Sequence, residues 1–147
     1  MKNIILSFYF LLFSTNICAD QNSPKLNVLF EELYNVQNLS EQNKIVSNIW
    51  SEWMTIDNPE SQKIMDMVPF FFQSRNYDEA IEALTYVIDQ EPQFSEAYNK
   101  RATFYFMMGD LENSMKDIEI TLALEPRHFG ALDGMSRILI YYKKYDQ

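Results

Sequence analysis

The sequence predicts an all-α fold built as a stack of antiparallel helical hairpins. Two Glu-Pro pairs, Glu91-Pro92 and Glu125-Pro126, lie 34 residues apart, and the segments around them also match at other fixed offsets. A period of 34 residues in a helical chain is typical of hairpin repeats that stack side by side. Such arrays mostly bind proteins or peptides, so the period indicates an architecture and a function class without identifying a partner.

The central unit, residues 95–128, is predicted to be a helix, a tight turn, a second helix and a stop. Gly109 can adopt the left-handed conformation that ends a helix, and Asp110 can cap the helix that follows. Pro126 cannot continue that second helix and therefore ends it. The apolar stripes at helical spacing are Tyr98, Ala102 and Tyr105 before the turn, and Leu111, Met115, Ile118 and Leu122 after it.

The same plan is expected one period earlier, in residues 58–94, and an incomplete copy of it is expected after the central unit, in residues 129–147. In the earlier unit, Asn76 and Glu79 have the spacing of a capping box before the second helix. Pro69 lies inside the first helix, where we expect a kink or fraying. The later unit is either a partial repeat or a capping helix, because its sequence holds one helix only.

A further helical hairpin, residues 26–57, precedes the repeats. It lacks their Pro register, so we interpret it as a degenerate repeat or an N-terminal cap. Its second helix carries Trp50 and Trp53. We expect both rings to pack on the first repeat, and a role in binding a partner is the alternative.

Residues 1–19 are predicted to be an export signal, because Lys2 is their only charged residue and an apolar run follows it. This run is shorter than the ~20 residues that a membrane span needs. Cleavage would leave a flexible N-terminus, residues 20–25, and a periplasmic protein with no segment inserted in the membrane. The alternative is a protein anchored in the membrane through an uncleaved signal.

The composition argues against several kinds of site. Cys18 is the only cysteine and lies in the predicted signal, so the mature chain offers no disulfide and no cysteine metal site. His128 is the only histidine and is interpreted as a polar turn residue, not as a metal ligand or catalytic group. The net charge of −9 disfavours nucleic acids and anionic membranes as partners. We therefore expect no cofactor, no metal and no catalytic residues.

The central unit resembles the tetratricopeptide repeat (TPR) family. That family's pattern combines aromatic and small residues along the first helix with a Gly turn and a Pro after the second helix. The first unit matches less completely, because it has Arg75 where Gly is usual and contains Pro69. Residues 121–132 also resemble small exported TPR proteins of Gram-negative bacteria. The residues that carry the family resemblance in the central unit are Tyr98, Ala102, Tyr105, Gly109, Leu111, Ser114, Ile118, Thr121 and Pro126.

This resemblance implies a right-handed superhelical stack, a TPR-like solenoid, whose first helices line a concave groove. It implies a non-catalytic adaptor or assembly factor that holds a peptide or helix of another protein in that groove. The alternative is a structural role, as half of an oligomer or a section of a longer repeat array, with self-association; an enzyme is a distant third. The residues expected to contact the partner are Asn99, Lys100, Thr103, Phe106, Met107, Arg137 and Tyr141.

Overall fold

The computed structural model describes residues 23–145, which form seven helices joined by short turns. No strand occurs in this region of the chain, so the predicted all-α class is confirmed. The predicted signal lies outside the described residues. Within them, no helix has the length and apolar character needed to cross a membrane. The helices are α1 (Pro24–Asn35), α2 (Leu39–Trp53), α3 (Pro59–Ser74), α4 (Tyr77–Gln90), α5 (Ser95–Met108), α6 (Leu111–Leu124) and α7 (Phe129–Tyr145).

The turns inside the first two repeats have the same backbone form with different residues. Gly109 ends α5 with a φ of 82°, and the Asp110 carboxylate accepts a hydrogen bond from the amide of Asn113, as predicted for a cap. Arg75 stands one period earlier and also adopts the left-handed conformation, with a φ of 58°. A side chain in this conformation costs about 1 kcal/mol. The first repeat therefore keeps the turn without the glycine.

Three local details differ from expectation. α1 begins at Pro24, because proline suits the first helical position and the hydroxyl of Ser23 caps the first turn. The last two residues of the segment expected to be flexible are therefore helical. α3 is helical through Pro69, whose ring is exposed, so the fraying expected there does not occur. Asn76 makes no capping bond to the backbone; its amide donates to the Glu79 carboxylate instead.

The repeats share apolar packing that continues from α3 to α7. One buried cluster joins α3, α4 and α5 and contains Leu84 and Phe104. A second joins α5, α6 and α7 and contains Ala102 and Ile118. The hydroxyl of Ser114 donates to the Ala102 carbonyl at 2.8 Å, which shows how closely these two small residues let α5 and α6 approach.

The pair α1–α2, called here the N-terminal hairpin, packs on the turn between the second and third repeats. Trp53 stacks on His128 with ring centroids 4.1 Å apart, and Trp50 meets Phe129 edge to face at 5.1 Å. The expectation that both tryptophans pack on the first repeat is wrong. The physical reason is that the apolar cluster of the hairpin, as far as the described residues show it, is completed by the Phe129 ring.

A buried polar group lies under these rings. Glu96, in the first turn of α5, is fully buried, and its Oε2 lies 2.8 Å from His128 Nε2. His128 Nδ1 accepts a hydrogen bond from the Ala131 amide, so the neutral ring carries its hydrogen on Nε2 and donates it to Glu96. Lys100 Nζ forms an ion pair with Glu96 Oε1 at 2.7 Å and lies 5.0 Å from the Trp50 ring centroid.

Arg127, in the same turn, contacts α1. The guanidinium of Arg127 donates two hydrogen bonds to the buried carboxylate of Glu125, at 2.9 and 2.7 Å. It also donates to Asn27 Oδ1 at 2.9 Å and lies 4.4 Å from the ring centroid of Phe30. Because Asn27 and Phe30 both belong to α1, the two helices of the hairpin are held by separate contacts with residues 127–129.

Replacing Gly130 by alanine is expected to displace the hairpin. A Cβ at Gly130 would lie 2.6 Å from Cη2 of Trp50, so the ring must move. We expect a loss of about 1–3 kcal/mol in the free energy of unfolding, together with a shifted tryptophan emission. The chain's two tryptophans, Trp50 and Trp53, both report on this contact. Gly134→Ala is the control, because its Cβ would meet Ile118; unchanged emission in Gly130→Ala would contradict the prediction.

Replacing Glu96 by glutamine is expected to remove a pH-dependent contribution to the stability. Burial raises the pKa of Glu96, but the His128 hydrogen bond and the Lys100 charge outweigh it, so the pKa lies below its ordinary 4.5. The ionised carboxylate therefore stabilises the fold above pH 4.5, and this contribution is lost as the pH falls through the lowered pKa. Glu96→Gln should cost on the order of 2 kcal/mol at pH 7.

Urea denaturation at a series of pH values measures this difference. The free energies of unfolding of wild type and Glu96→Gln should converge as the pH falls from 7 to about 3. Glu112→Gln serves as the control, because Glu112 is 80% exposed and pairs with the exposed Lys116. A gap between wild type and Glu96→Gln that stays constant over this pH range would contradict the assignment.

Candidate partner-binding pocket

A pocket of about 250 Å³ opens between α5 and α7. Its floor is formed by small or apolar residues, among them Ala102, Ser114 and Ile118. On α7, Gly130 and Gly134 present no side chains, and this leaves the space between the two helices open. The remaining lining residues are Asn99, Thr103, Phe106, Met107, Asp133 and Arg137.

Five of the seven residues expected to contact a partner line this pocket: Asn99, Thr103, Phe106, Met107 and Arg137. Positions one helical turn apart on α5 thus meet a residue of α7, as expected for first helices that share one face. Met107 is 51% exposed, whereas Phe106 is partly buried against the apolar cluster that joins α5, α6 and α7. The structure brings these side chains together, and their contact with a partner stays a prediction.

Asn99 and Lys100 already have partners inside the protein. Asn99 is buried, and its amide donates to Glu96 Oε2 at 2.8 Å. The hydroxyl of Thr103 donates in turn to the Asn99 carbonyl at 2.9 Å. Lys100 lies outside the pocket, between Glu96 and the Trp50 ring. Offering its ammonium group to a ligand would leave the buried carboxylate with one partner fewer, which is costly in a dry site.

The α7 candidates differ from one another. Arg137 reaches the rim of the pocket and forms an ion pair with Asp133 at 2.6 Å, in which both side chains are more than 60% exposed. An exposed pair of this kind stabilises little, so an anionic group of a ligand can replace Asp133. Tyr141 lies outside the pocket and is 48% exposed, with its ring 6.0 Å from that of Tyr142.

Glu96 and His128 have roles that were not predicted from the sequence. His128 was interpreted as a polar turn residue, and Glu96 was not assigned a structural role. Both are fully buried, beneath Trp50 and Trp53. The one feature of the sequence that could have indicated this buried site is the presence of two tryptophans on a hairpin too small to bury them alone. The pair has no exposed edge, which fits a structural role better than a catalytic one.

Residues 23–145 contain no group of three or more His, Cys, Asp or Glu side chains arranged to hold a metal ion. The polar side chains that line the pocket are an amide, a hydroxyl and a pair of charged groups: Asn99, Thr103, Asp133 and Arg137. Such a lining can donate and accept hydrogen bonds around an apolar floor.

Comparison with known proteins finds similarity to repeat proteins, while no family model matches the chain. It is 35% identical over 130 residues to a TPR repeat-containing protein of Rhizobium etli, which covers 84% of this chain and 64% of that protein. It is 30% identical over 77 residues to Hsp70-Hsp90 organizing protein 3 of Arabidopsis thaliana, covering 52% of this chain and 14% of that one. The chain thus spans less than two thirds of these relatives.

The similarity, the 34-residue period and the helical hairpins agree with one another. α3–α4 and α5–α6 are two successive hairpins with equivalent left-handed turns at Arg75 and Gly109, and α7 begins a third unit in the same register. The sequence similarity extends over both complete hairpins, because it covers 84% of the chain. The resemblance to the tetratricopeptide repeat family that the sequence indicates is therefore confirmed by these relatives and by the helical hairpins.

Proposed function

We propose that the chain is an exported, non-catalytic interaction module that holds a peptide or helix of a partner protein between α5 and α7. The observation that carries this proposal is the pocket itself, which gathers five candidate residues from two repeats around an apolar floor. TPR relatives imply a protein-interaction module, and the name of the plant relatives describes proteins that organise Hsp70 and Hsp90. Export and a periplasmic location rest on residues 1–19 of the sequence.

The pocket's chemistry supports an apolar side chain as the group of the partner that enters it. Its volume of about 250 Å³ lies below the ~300–1,000 Å³ typical of small-molecule sites. Phe106 and Met107 offer apolar contact, and methionine adapts to the shape of what it meets. Asn99, Thr103 and Arg137 lie around this contact, where they can fix the orientation of the partner's backbone.

A structural role is the alternative, and one observation favours it. The side of α7 that faces away from α6 leaves large apolar residues exposed, with Leu139 55% and Ile140 66% exposed. Lys143 and Lys144 follow in the last turn of the same helix. Self-association through this side would bury the apolar residues. It would leave the pocket between α5 and α7 unused.

A pair of adjacent methionines gives a matched test of the pocket. Met107 and Met108 are 51% and 48% exposed, but only Met107 lines the pocket. We expect Met107→Asp to lower capture of a partner at least tenfold in crosslinking from envelope extract, because a carboxylate at an apolar contact must lose water to bind. Met108→Asp should capture as wild type does.

Two results would count against the proposal. Equal capture by both variants would show that the partner binds elsewhere. Loss of concentration-dependent self-association in an α7 variant such as Ile140→Asp, with no partner captured by wild type, would favour the structural role. Fractionation of cells that express the complete chain tests export separately, since a periplasmic protein must be released by osmotic shock.

A further inference from the structure

The first repeat exposes a face that the next two units cover. Phe70, Phe104 and Ile138 occupy the same position of successive units, at intervals of 34 residues. Phe104 and Ile138 are fully buried, whereas Phe70 is 57% exposed. Met67, one turn earlier on α3, is 40% exposed. A repeat position that is buried twice and open once marks a place where a covering element is missing from the described residues.

The preceding unit supplies the cover for α5. Phe104 stacks on Phe72 of α3, with ring centroids 4.5 Å apart, and lies 5.9 Å from the ring of Tyr77 of α4. Arg101, one turn earlier on α5, donates to the hydroxyl of Thr85 on α4 at 2.9 Å. The equivalents of Arg101 and Phe104 in the first repeat are Met67 and Phe70. The face of α5 that carries Arg101 and Phe104 is therefore covered by the end of α3 and by α4.

The same relation holds for α7 and fails for α3. Ile138 packs in one cluster with Phe106 and Leu111, which stand one period after Phe72 and Tyr77. One period before Phe72 and Tyr77 stand Asn38 and Asn43, which are polar. At these two positions the N-terminal hairpin therefore has no ring to place on Phe70, and the hairpin packs on the turn at His128 instead.

The exposed face combines an apolar floor with negative charge. A pocket of about 310 Å³ between α3 and α4 is lined by Met67, Phe70, Phe71 and Ala83, with Glu79 and Glu82 beside them. α4 contains four acidic residues and no lysine or arginine, so no cation of that helix neutralises this edge. We call Met67, Phe70, Glu79 and Glu82 the open face.

We propose that the open face binds an amphipathic helix of a partner protein, with apolar residues on one side and lysine or arginine along their flank. The helical form follows from the repeat, because helices cover the equivalent positions of α5 and α7. The positive flank follows from charge complementarity with Glu79 and Glu82. The surface lies on α3 and α4, and it is separate from the pocket between α5 and α7.

The probe is a synthetic, fluorescein-labelled helical peptide with Leu at positions i, i+3, i+4 and i+7 and Lys along the flank. Its partner probe has Glu in place of every Lys. Fluorescence anisotropy with the full-length protein should show binding of the Lys peptide and at least tenfold weaker binding of the Glu peptide. Phe70→Asp should weaken the Lys peptide at least tenfold, whereas Tyr34→Asp, at a residue 90% exposed on α1, should not.

Reversing the charges of the open face is the second part of the experiment. The double variant Glu79→Lys/Glu82→Lys should lose the Lys peptide and gain the Glu peptide. Glu79 and Glu82 are both exposed, and Phe70 is largely exposed, so these variants are expected to fold; circular dichroism checks this. Binding of the Lys peptide should fall as salt rises, since exposed charges are screened.

Four outcomes would overturn the proposal. Equal binding of the Lys peptide to wild type and Phe70→Asp would show that the peptide binds elsewhere. Loss of Lys-peptide binding in Met107→Asp would assign the peptide to the pocket between α5 and α7. Equal binding of both peptides to wild type would remove the charge selectivity. If sedimentation shows that wild type self-associates and Phe70→Asp does not, a second copy covers the face. Because Met107→Asp tests the other pocket, the two proposals fail independently.

Discussion

The contact of Trp53 with His128, above the ionised Glu96, is the interaction on which the arrangement of the chain depends. A buried carboxylate is tolerated only when it is paired and hydrogen-bonded, and Glu96 has Lys100, His128 and Asn99 as partners. The two tryptophans exclude water from this group, which strengthens each polar contact beneath them. Packing and polar pairing therefore support each other, and the hairpin gains a position that its own small core could not specify.

This position decides which surfaces of the repeats stay accessible. The hairpin lies at the N-terminal ends of α5 and α7, where the Trp50 ring approaches Gly130, one of the residues that line the pocket between these helices. It also leaves α3 without a preceding unit, which exposes Phe70. The chain thus offers two surfaces of different chemistry, one with amide, hydroxyl and paired charged groups and one edged by Glu79 and Glu82.

The helices, the turns and the family resemblance were predictable because they depend on local chemistry repeated at a fixed interval. Gly109, Asp110 and Pro126 each act within a few residues of themselves, so their effects could be inferred from the sequence. The docking of the hairpin depends on contacts such as Arg127 to Asn27, which are 100 residues apart and leave no periodic signal. α5 shows the same limit. Its residues 95–99 are buried without interruption, because other helices and the hairpin surround that end.

The pocket was predictable as a face, but not as a set of available groups. Helical spacing brought Thr103, Phe106 and Met107 correctly to one side of α5, yet it could not show that Lys100 is held by Glu96 and Trp50. Because Lys100 is held there, its charge does not contribute to the choice of ligand in the pocket. Arg137 is its one cationic lining residue among those described, and that charge is paired with Asp133. Selection of a ligand there must therefore depend on apolar fit and hydrogen bonding more than on attraction to a negative charge.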